Sequence, residues 1–353
     1  MDEIAFLKEF VAIPSPSEHE AAVADYLVTH MQALGFAAHK DDVGNAIGIV
    51  GDSGPQVFLL GHIDTVPGDI PVRIEDGILY GRGSVDAKGP FATFVCATAR
   101  AAQRGTLACR VVLMGAVEEE TPDSKGANYI VNHTQRPPEY CIIGEPSKWD
   151  RITLGYKGRL LAHYRHEQEN AHSASAQRSA PEYAVEFWNW LSDYCAQYNQ
   201  RYERLFDQLT PSLQHIRSGN DGMYDWVEST MGLRLPEGLE PYMMAPLLHD
   251  WTDQYRGSGV VCEGMCPAYR SKRSTPLANA FVRGIRTCGG TPGYVHKTGT
   301  SDMNVAGPAW QCPMVAYGPG DSQLDHTPNE HLSLDEYQQA IAVLTLVLEN
   351  LGP

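Results

Sequence analysis

Five short segments hold the residues able to do chemistry. In Gly61-His62-Ile63-Asp64-Thr65-Val66-Pro67, His62 and Asp64 stand two apart. In extended chain both side chains leave one face, so the carboxylate can accept the imidazole's second N–H while the other ring nitrogen faces a metal. Gly81-Arg82-Gly83-Ser84-Val85-Asp86-Ala87-Lys88-Gly89-Pro90 sets Asp86 on a glycine-rich loop just ahead of the apolar helical stretch 91–102. Then come Glu118-Glu119-Glu120, Gly144-Glu145-Pro146-Ser147 and Leu324-Asp325-His326-Thr327-Pro328-Asn329-Glu330. Three adjacent carboxylates repel one another unless cations sit among them. Two imidazoles with several carboxylates and no thiolate suit zinc, cobalt or manganese. Taken singly, each segment has a plainer reading: His62 as a structural histidine beside a surface Asp, the triple Glu as a solvated turn, His326 as a lone surface histidine.

The elements around these segments decide whether they meet. The run 57–60 is short and continuously apolar, as are 111–114 and 141–143, so each reads as a buried strand. Strands of this kind alternating with helices predict an α/β fold, a mainly parallel sheet with helices on both faces. Strand C-terminal edges in such a sheet gather at one crevice, where His62, Asp86, Glu119, Glu120, Glu145 and His326 would converge. Upstream, 2–11 reads as a first helix. Ser17 with Glu20 has the capping-box spacing for a second, with Val23, Leu27, Met31 and Leu34 inward and Gly35 as its stop. A strand follows over 45–50, and Asp76-Gly77 between Ile74 and Ile78 signals a hairpin.

Past Gly155 the character changes. A strand with one wetter face is expected over 159–164, an aromatic-rich helix over 181–198, a polar irregular stretch over 199–225 and a short strand over 230–235. Residues 156–269 therefore read as an inserted second domain, with 1–155 and 270–353 forming the first. In the latter, a helix is expected at 278–287 and strands near Thr291 and Met314. Ser333 and Glu336 cap a last helix whose Ile341, Leu344, Leu348 and Leu351 face inward.

Composition narrows the class. The 353 residues carry a formal net charge of -16, which argues against nucleic acid as a partner. No apolar run approaches a membrane span. The acidic start Met1-Asp2-Glu3 lacks a signal-peptide layout, and the eight cysteines form no CxxC, so a cytoplasmic protein with free thiols is expected.

In their order, Gly-His62-Ile-Asp64-Thr-Val, Gly-Arg-Gly-Ser-Val-Asp86-Ala-Lys-Gly, Glu119-Glu120 and Gly-Glu145-Pro-Ser resemble the M20 family of dizinc aminoacylases and peptidases, along the whole chain. The resemblance implies a zinc-peptidase-like catalytic domain with an inserted, smaller α+β lid that also serves dimerisation. It implies two divalent metal ions per chain, Zn2+ or else Co2+. His62 and Glu145 would hold one ion, Glu120 and His326 the other, and Asp86 would bridge them. Asp64 would orient His62, and Glu119 would be the general base. Glu118 stands where Asp is usual in the family and is assigned no role. Asn170-Ala171-His172-Ser173-Ala174 is similar to the family's lid motif, usually Gly-His-Ser, whose histidine serves the oxyanion, often from the partner subunit of a homodimer. Without the resemblance His172 reads as a polar surface residue.

Within the family, the segments 71–83, 297–304, 316–321 and 325–331 look like those of LysW-lysine hydrolases. That resemblance implies release of lysine, or ornithine, from the γ-carboxyl of the C-terminal Glu of a small acidic amino-group carrier protein, a step of lysine biosynthesis. Arg234, Arg270, Lys297, Thr298, Gly299, Thr300 and Ser301 are candidates to hold the amino acid's carboxylate, a bidentate task suited to Arg, although an Arg beside a strand serves equally as a surface residue. The acidic carrier would need a local basic patch; Arg270-Ser271-Lys272-Arg273, with Lys157 and Arg159, is the densest, and a solvated hinge explains it as well. Three rivals stand beside this reading: a deacetylase of N-acetyl-ornithine or N-acetyl-lysine, a metallo-carboxypeptidase, and a catalytically silent metal-binding protein. The last has no need of Glu119 beside Glu120.

Overall fold

A computed structural model of the chain describes residues 1–172 and 174–352. It divides into two compact units: Met1–Gly155 with Arg270–His296 and Ser301–Pro353, and Tyr156–Tyr269 with Lys297–Thr300.

In the first unit the apolar runs become the centre of the sheet. Arg110–Ala116, Gln56–His62, Tyr140–Gly144 and Met314–Ala316 lie side by side in that order, all parallel. Antiparallel strands flank this centre, Ala46–Val50 and Ala37–Lys40 on one side and Arg151–Tyr156 on the other. Side chains alternate faces along a strand, so Phe58 and Leu59 report on opposite layers. Trp310, closing the helix Met303–Trp310, packs edge-on against Phe58, with ring centroids 5.2 Å apart. On the other layer lies the helix Lys88–Gln103, where a Cβ at Gly144 would meet Phe94 at 3.0 Å, while one at Gly61 would meet the Gly144 backbone of the next strand at 3.2 Å. A side chain at either strand end would crowd its neighbour by a few tenths of an ångström. The last helix, Leu334–Glu349, buries Ile341, Leu344 and Leu348, and the Ser333 hydroxyl accepts the Glu336 N–H at its start. The hairpin turns at Asp76 and Gly77, both with positive φ.

The expected capping box at Ser17 and Glu20 does not form. The helix Ala21–Ala33 starts without a side-chain cap. Ser17 donates instead to Asp64, and Glu20 accepts the Glu118 N–H. The Ser17 N–H that the box would use goes to the Thr65 carbonyl, and Glu20 accepts the neighbouring Glu18 N–H as well.

The second unit is a four-stranded antiparallel sheet in the order Thr210–Asn220, Tyr224–Leu235, Gly158–Glu169, Ser258–Cys266. The helices Ala180–Asn199 and Pro241–Thr252 supply Phe187, Leu191, Leu248 and Trp251 to a core shared with Leu160, Tyr164, Met231 and Leu233. Here the expectation of an irregular 199–225 is corrected. That stretch contains an eleven-residue strand, joined through Asp221-Gly222 to a partner of twelve residues rather than the short one expected at 230–235. The turn is held by Asp221 Oδ1, which accepts the Met223 and Tyr224 N–H groups. Among the described residues no helix is long and apolar enough to cross a membrane.

Candidate metal centre

The parallel register sets the site. Gly61 pairs with Gly115 on one side and Gly144 on the other, and His62 lies opposite Ala116. The chain leaving Ala116 reaches Glu119 and Glu120 within four residues, and the chain leaving Gly144 begins with Glu145. Three strand ends therefore deliver one imidazole and three carboxylates to one edge of the sheet.

Asp64 organises this edge. It is wholly buried, and it accepts the Ser17 hydroxyl at 2.8 Å, the Glu119 N–H at 3.1 Å and the Glu120 N–H at 3.1 Å. Its Oδ1 lies 3.3 Å from His62 Nδ1. Burial works to raise the Asp64 carboxyl, but His62 and these donors outweigh it and hold it below the usual carboxylate range. His62 Nε2 points the other way, 3.1 Å from Asp86 Oδ1. The second oxygen of Asp86 is 3.0 Å from His326 Nε2, which also lies 2.9 Å from Glu120 Oε1. One carboxylate thus stands between two imidazoles. His326 reaches it from a backbone with φ of 61°, the left-handed region.

His62, Asp86 and Glu120 bring ligand atoms within 4.8 Å of one another. Glu145, buried, and Glu119, half-buried, lie beside them. Burial first, and then neighbouring carboxylates, push both well above the usual range, Asp86 acting on Glu145 and Glu120 on Glu119. Hydrogen bonds to Asp86 and Glu120 push the His326 imidazole up to about 10. A crowd of buried carboxyls relieved only by protons on imidazoles is an arrangement that divalent cations would neutralise, and its nitrogen and oxygen donors fit such ions.

Other candidates lie elsewhere. Glu118 turns away, with φ of 57°, and pairs with Lys125 at 2.5 Å. His172 sits on an exposed loop of the second unit, where its Nδ1 accepts the Ala174 N–H at 3.1 Å; Ser173 of that motif is outside the described residues. Arg234 donates to Thr300 Oγ1 at 3.0 Å, which brings two of the candidate carboxylate binders, Arg234 and Thr300, together in the second unit with Lys297, Thr298 and Gly299 nearby in sequence. Arg270 is exposed. Ser301 is 2 % exposed, and its hydroxyl accepts the Met303 N–H, spending it on the start of a helix. Lys157 is fully buried, with its ammonium donating to the Leu205 and Gln208 carbonyls and the Thr210 hydroxyl, so it forms no part of a surface patch.

Sequence reasoning passed over several contributors. Ser17 and Glu20 were absorbed into a helix cap. Asp302 is buried, neither of its carboxylate oxygens has a hydrogen-bond partner among the described residues, and burial pushes it up to about 7. Its only signal was its place in the segment 297–304. Glu330 was read as part of a motif without a task, although it holds the Asp86 loop.

Fold and site together define a two-unit α/β hydrolase with a histidine–carboxylate centre at the sheet edge. The chain belongs to peptidase family M20/M25/M40, whose model matches residues 58–350. A [LysW]-lysine hydrolase from Deinococcus radiodurans is 43% identical over 349 residues, covering 98% of this chain and 96% of that one. A [LysW]-lysine/[LysW]-ornithine hydrolase from Saccharolobus solfataricus is 27% identical, with 98% and 94% covered. Among solved structures, an M20 family metallo-carboxypeptidase from Sulfolobus solfataricus superposes with a TM-score of 0.83, at 19% identity and 99% coverage of both chains.

Proposed function

We propose that this chain hydrolyses the amide linking L-lysine, or L-ornithine, to the γ-carboxyl of the C-terminal Glu of a small LysW-like amino-group carrier protein. The observation that supports this most is the 43% identity, spread over 98% of the chain, to a relative of that name. The intact histidine–carboxylate centre supports retention of the chemistry.

His62 and Glu145 are assigned to one divalent ion, Glu120 and His326 to a second, and Asp86 to both, with Zn2+ as the natural occupant and Co2+ as a substitute. Such ions, when bound, supply Lewis acidity that polarises a carbonyl and makes water nucleophilic at neutral pH. Asp64 keeps the His62 ring in one orientation and ties the Glu119–Glu120 turn beneath it. Glu119 takes the proton of the attacking water and returns it to the leaving α-amine. His172 donates to the oxyanion. Arg234, Arg270 and the 297–301 segment are assigned to the departing amino acid's carboxylate. The second unit is assigned to homodimer formation, and the enzyme to the cytoplasm.

The experiment compares four substrates at equal concentration: carrier-linked lysine, carrier-linked ornithine, N-acetyl-lysine and N-acetyl-ornithine. Preference for either carrier-linked form by kcat/KM supports the proposal and identifies the amino acid. Preference for an acetyl compound makes the chain a deacetylase. Activity on C-terminal peptide bonds alone makes it a carboxypeptidase.

A further inference from the structure

Asp86 and His326 lie 240 positions apart; the antiparallel pairing of Ile78–Tyr80 with His331–Ser333 brings their loops together but ends at Tyr80 and His331, short of both side chains. Their meeting at 3.0 Å needs a separate support. The carboxylate of Glu330 provides it. Glu330 is 1 % exposed, and both of its oxygens are engaged. Oε1 accepts the backbone N–H of Val85 at 2.9 Å and that of Asp86 at 3.1 Å, while Oε2 accepts from Arg82 Nη1 at 2.8 Å. The same Arg82 nitrogen donates to the Thr327 carbonyl at 3.2 Å, and the Gly81 N–H donates to the Glu330 carbonyl at 3.4 Å. Every one of these bonds runs between the 81–86 loop and the 327–330 segment, the stretch that follows His326.

We propose that Glu330 is a positioning residue that locks the Asp86 loop to the His326 loop, and that the affinity of the ion assigned to Glu120 and His326 depends on it more than the other ion's does. The inference rests on the two-ion reading of the centre. The asymmetry comes from what holds each ligand. His62 and Glu145 sit at the ends of paired parallel strands, whose ladders keep them in place without Glu330. Glu120 is also anchored independently, by its N–H on Asp64. His326 belongs to a loop, and beyond the short pairing of Ile78–Tyr80 with His331–Ser333 its separation from Asp86 is set through Glu330 and Arg82. A charge-assisted clasp of this kind, buried and saturated, leaves little play. Loss of a residue that supports a metal ligand costs about 10–100-fold in metal affinity.

The test is Glu330→Gln, which keeps size and one acceptor but sets an amide N–H2 against Arg82. Wild-type and variant proteins are loaded with Co2+ and titrated with a chelator, reading both bound metal and the cobalt visible absorption. The expected result is two ions per wild-type chain. In the variant, one ion should leave at about 10–100-fold lower chelator strength, and the other, which shares only Asp86 with the clasp, should be weakened distinctly less. Circular dichroism of the metal-free forms checks that both are folded. Should Glu330→Gln fail to fold, Arg82→Lys, which keeps the charge but loses the fork, should weaken the same ion to a smaller degree. Equal weakening of both ions, or no weakening of either, overturns the proposal. A wild-type chain that takes up a single ion overturns the two-ion reading and this proposal with it. Substrate identity enters none of these readings, so failure of the carrier assignment is distinguishable.

Discussion

The Ser17 hydroxyl donates to Asp64 Oδ2 at 2.8 Å across 47 positions of chain. The bond ties the loop between the first two helices to the carboxylate that holds the metal-edge turn. Ser17→Ala leaves the buried Asp64 carboxylate with its backbone donors but one fewer partner. A hydrogen bond to a buried charge contributes about 1.5–3 kcal/mol, so thermal unfolding should begin at lower temperature. Metal affinity should fall by about tenfold, measured by chelator competition. Unchanged values for both would mean that a water replaces the hydroxyl at no cost.

Glu119 and Glu120 share an anchor but not a direction. Both N–H groups bond to Asp64, yet only Glu120 contacts His326. Glu119→Gln should abolish turnover while metal content stays near wild type. Glu120→Gln should lose metal, and activity with it. If the two outcomes were exchanged, the base and the ligand would have to be exchanged too. Stripping wild type with a chelator should remove all activity, and adding back Zn2+ or Co2+ should restore it as metal approaches two ions per chain.

Much of this site was legible because its strands are buried on both faces. An uninterrupted apolar run such as 57–60 needs no partner to be recognised, and the chemistry follows directly at its end. The strand Thr210–Asn220 was illegible for the opposite reason. It lies at the edge of its sheet, nearly all its residues are exposed, and Ser212, Gln214, His215 and Arg217 give no alternating apolar signal. The Ser17–Glu20 pair misled because its spacing is right for a cap, while the partners that claim it, Asp64 and Glu118, are distant in sequence. The clasp from Glu330 to the Asp86 loop is equally invisible, since a spacing of 244 positions carries no periodic pattern.

Lys157 gives a pH dependence with a definite sign. Burial lowers its ammonium to about 8 from the ordinary 10.5. Between these values the unfolded chain binds the proton and the folded chain does not, so this group makes stability rise with pH across about 8 to 10.5. In Lys157→Met that contribution is absent. The difference in unfolding free energy, wild type minus variant, should therefore grow by on the order of 1–2 kcal/mol between about pH 7.5 and 9.5. Denaturant titrations at the two pH values measure it, and a flat difference would mean that Lys157 is not buried in solution.

His172 is prepared for donation by its own loop. Its Nδ1 accepts the Ala174 N–H, which places the proton of the neutral ring on Nε2. If that N–H serves the oxyanion, His172→Ala should lower kcat by about 100–1000-fold with a smaller change in KM. Mixing inactive His172→Ala and Glu119→Gln chains should restore part of the activity if the histidine acts across a dimer. A His172→Ala enzyme within about threefold of wild type would leave the residue no catalytic part.

The remaining prediction concerns how a carrier finds a chain with a net charge of -16. Like-charged proteins repel over roughly a Debye length, ~8 Å at physiological salt, so docking on an acidic carrier needs a local basic surface. Lys157 is removed from that surface by its burial. Arg270, Lys272 and Arg273 are all exposed, on the short segment where the chain re-enters the first unit, and the Arg273 guanidinium is stacked 4.4 Å above the Tyr294 ring. Stacking pre-orders that cation, so less freedom is lost when it meets a carboxylate. Lys272→Glu combined with Arg273→Glu should raise KM for the carrier-linked substrate and weaken its dependence on salt, while a small acyl-lysine substrate is turned over as before. Lys272→Glu alone, which leaves the Arg273–Tyr294 stack in place, should shift KM in the same direction by a smaller factor. Equal losses on both substrates would instead indicate damage to the segment itself, and no loss on either would move the docking surface elsewhere on the chain.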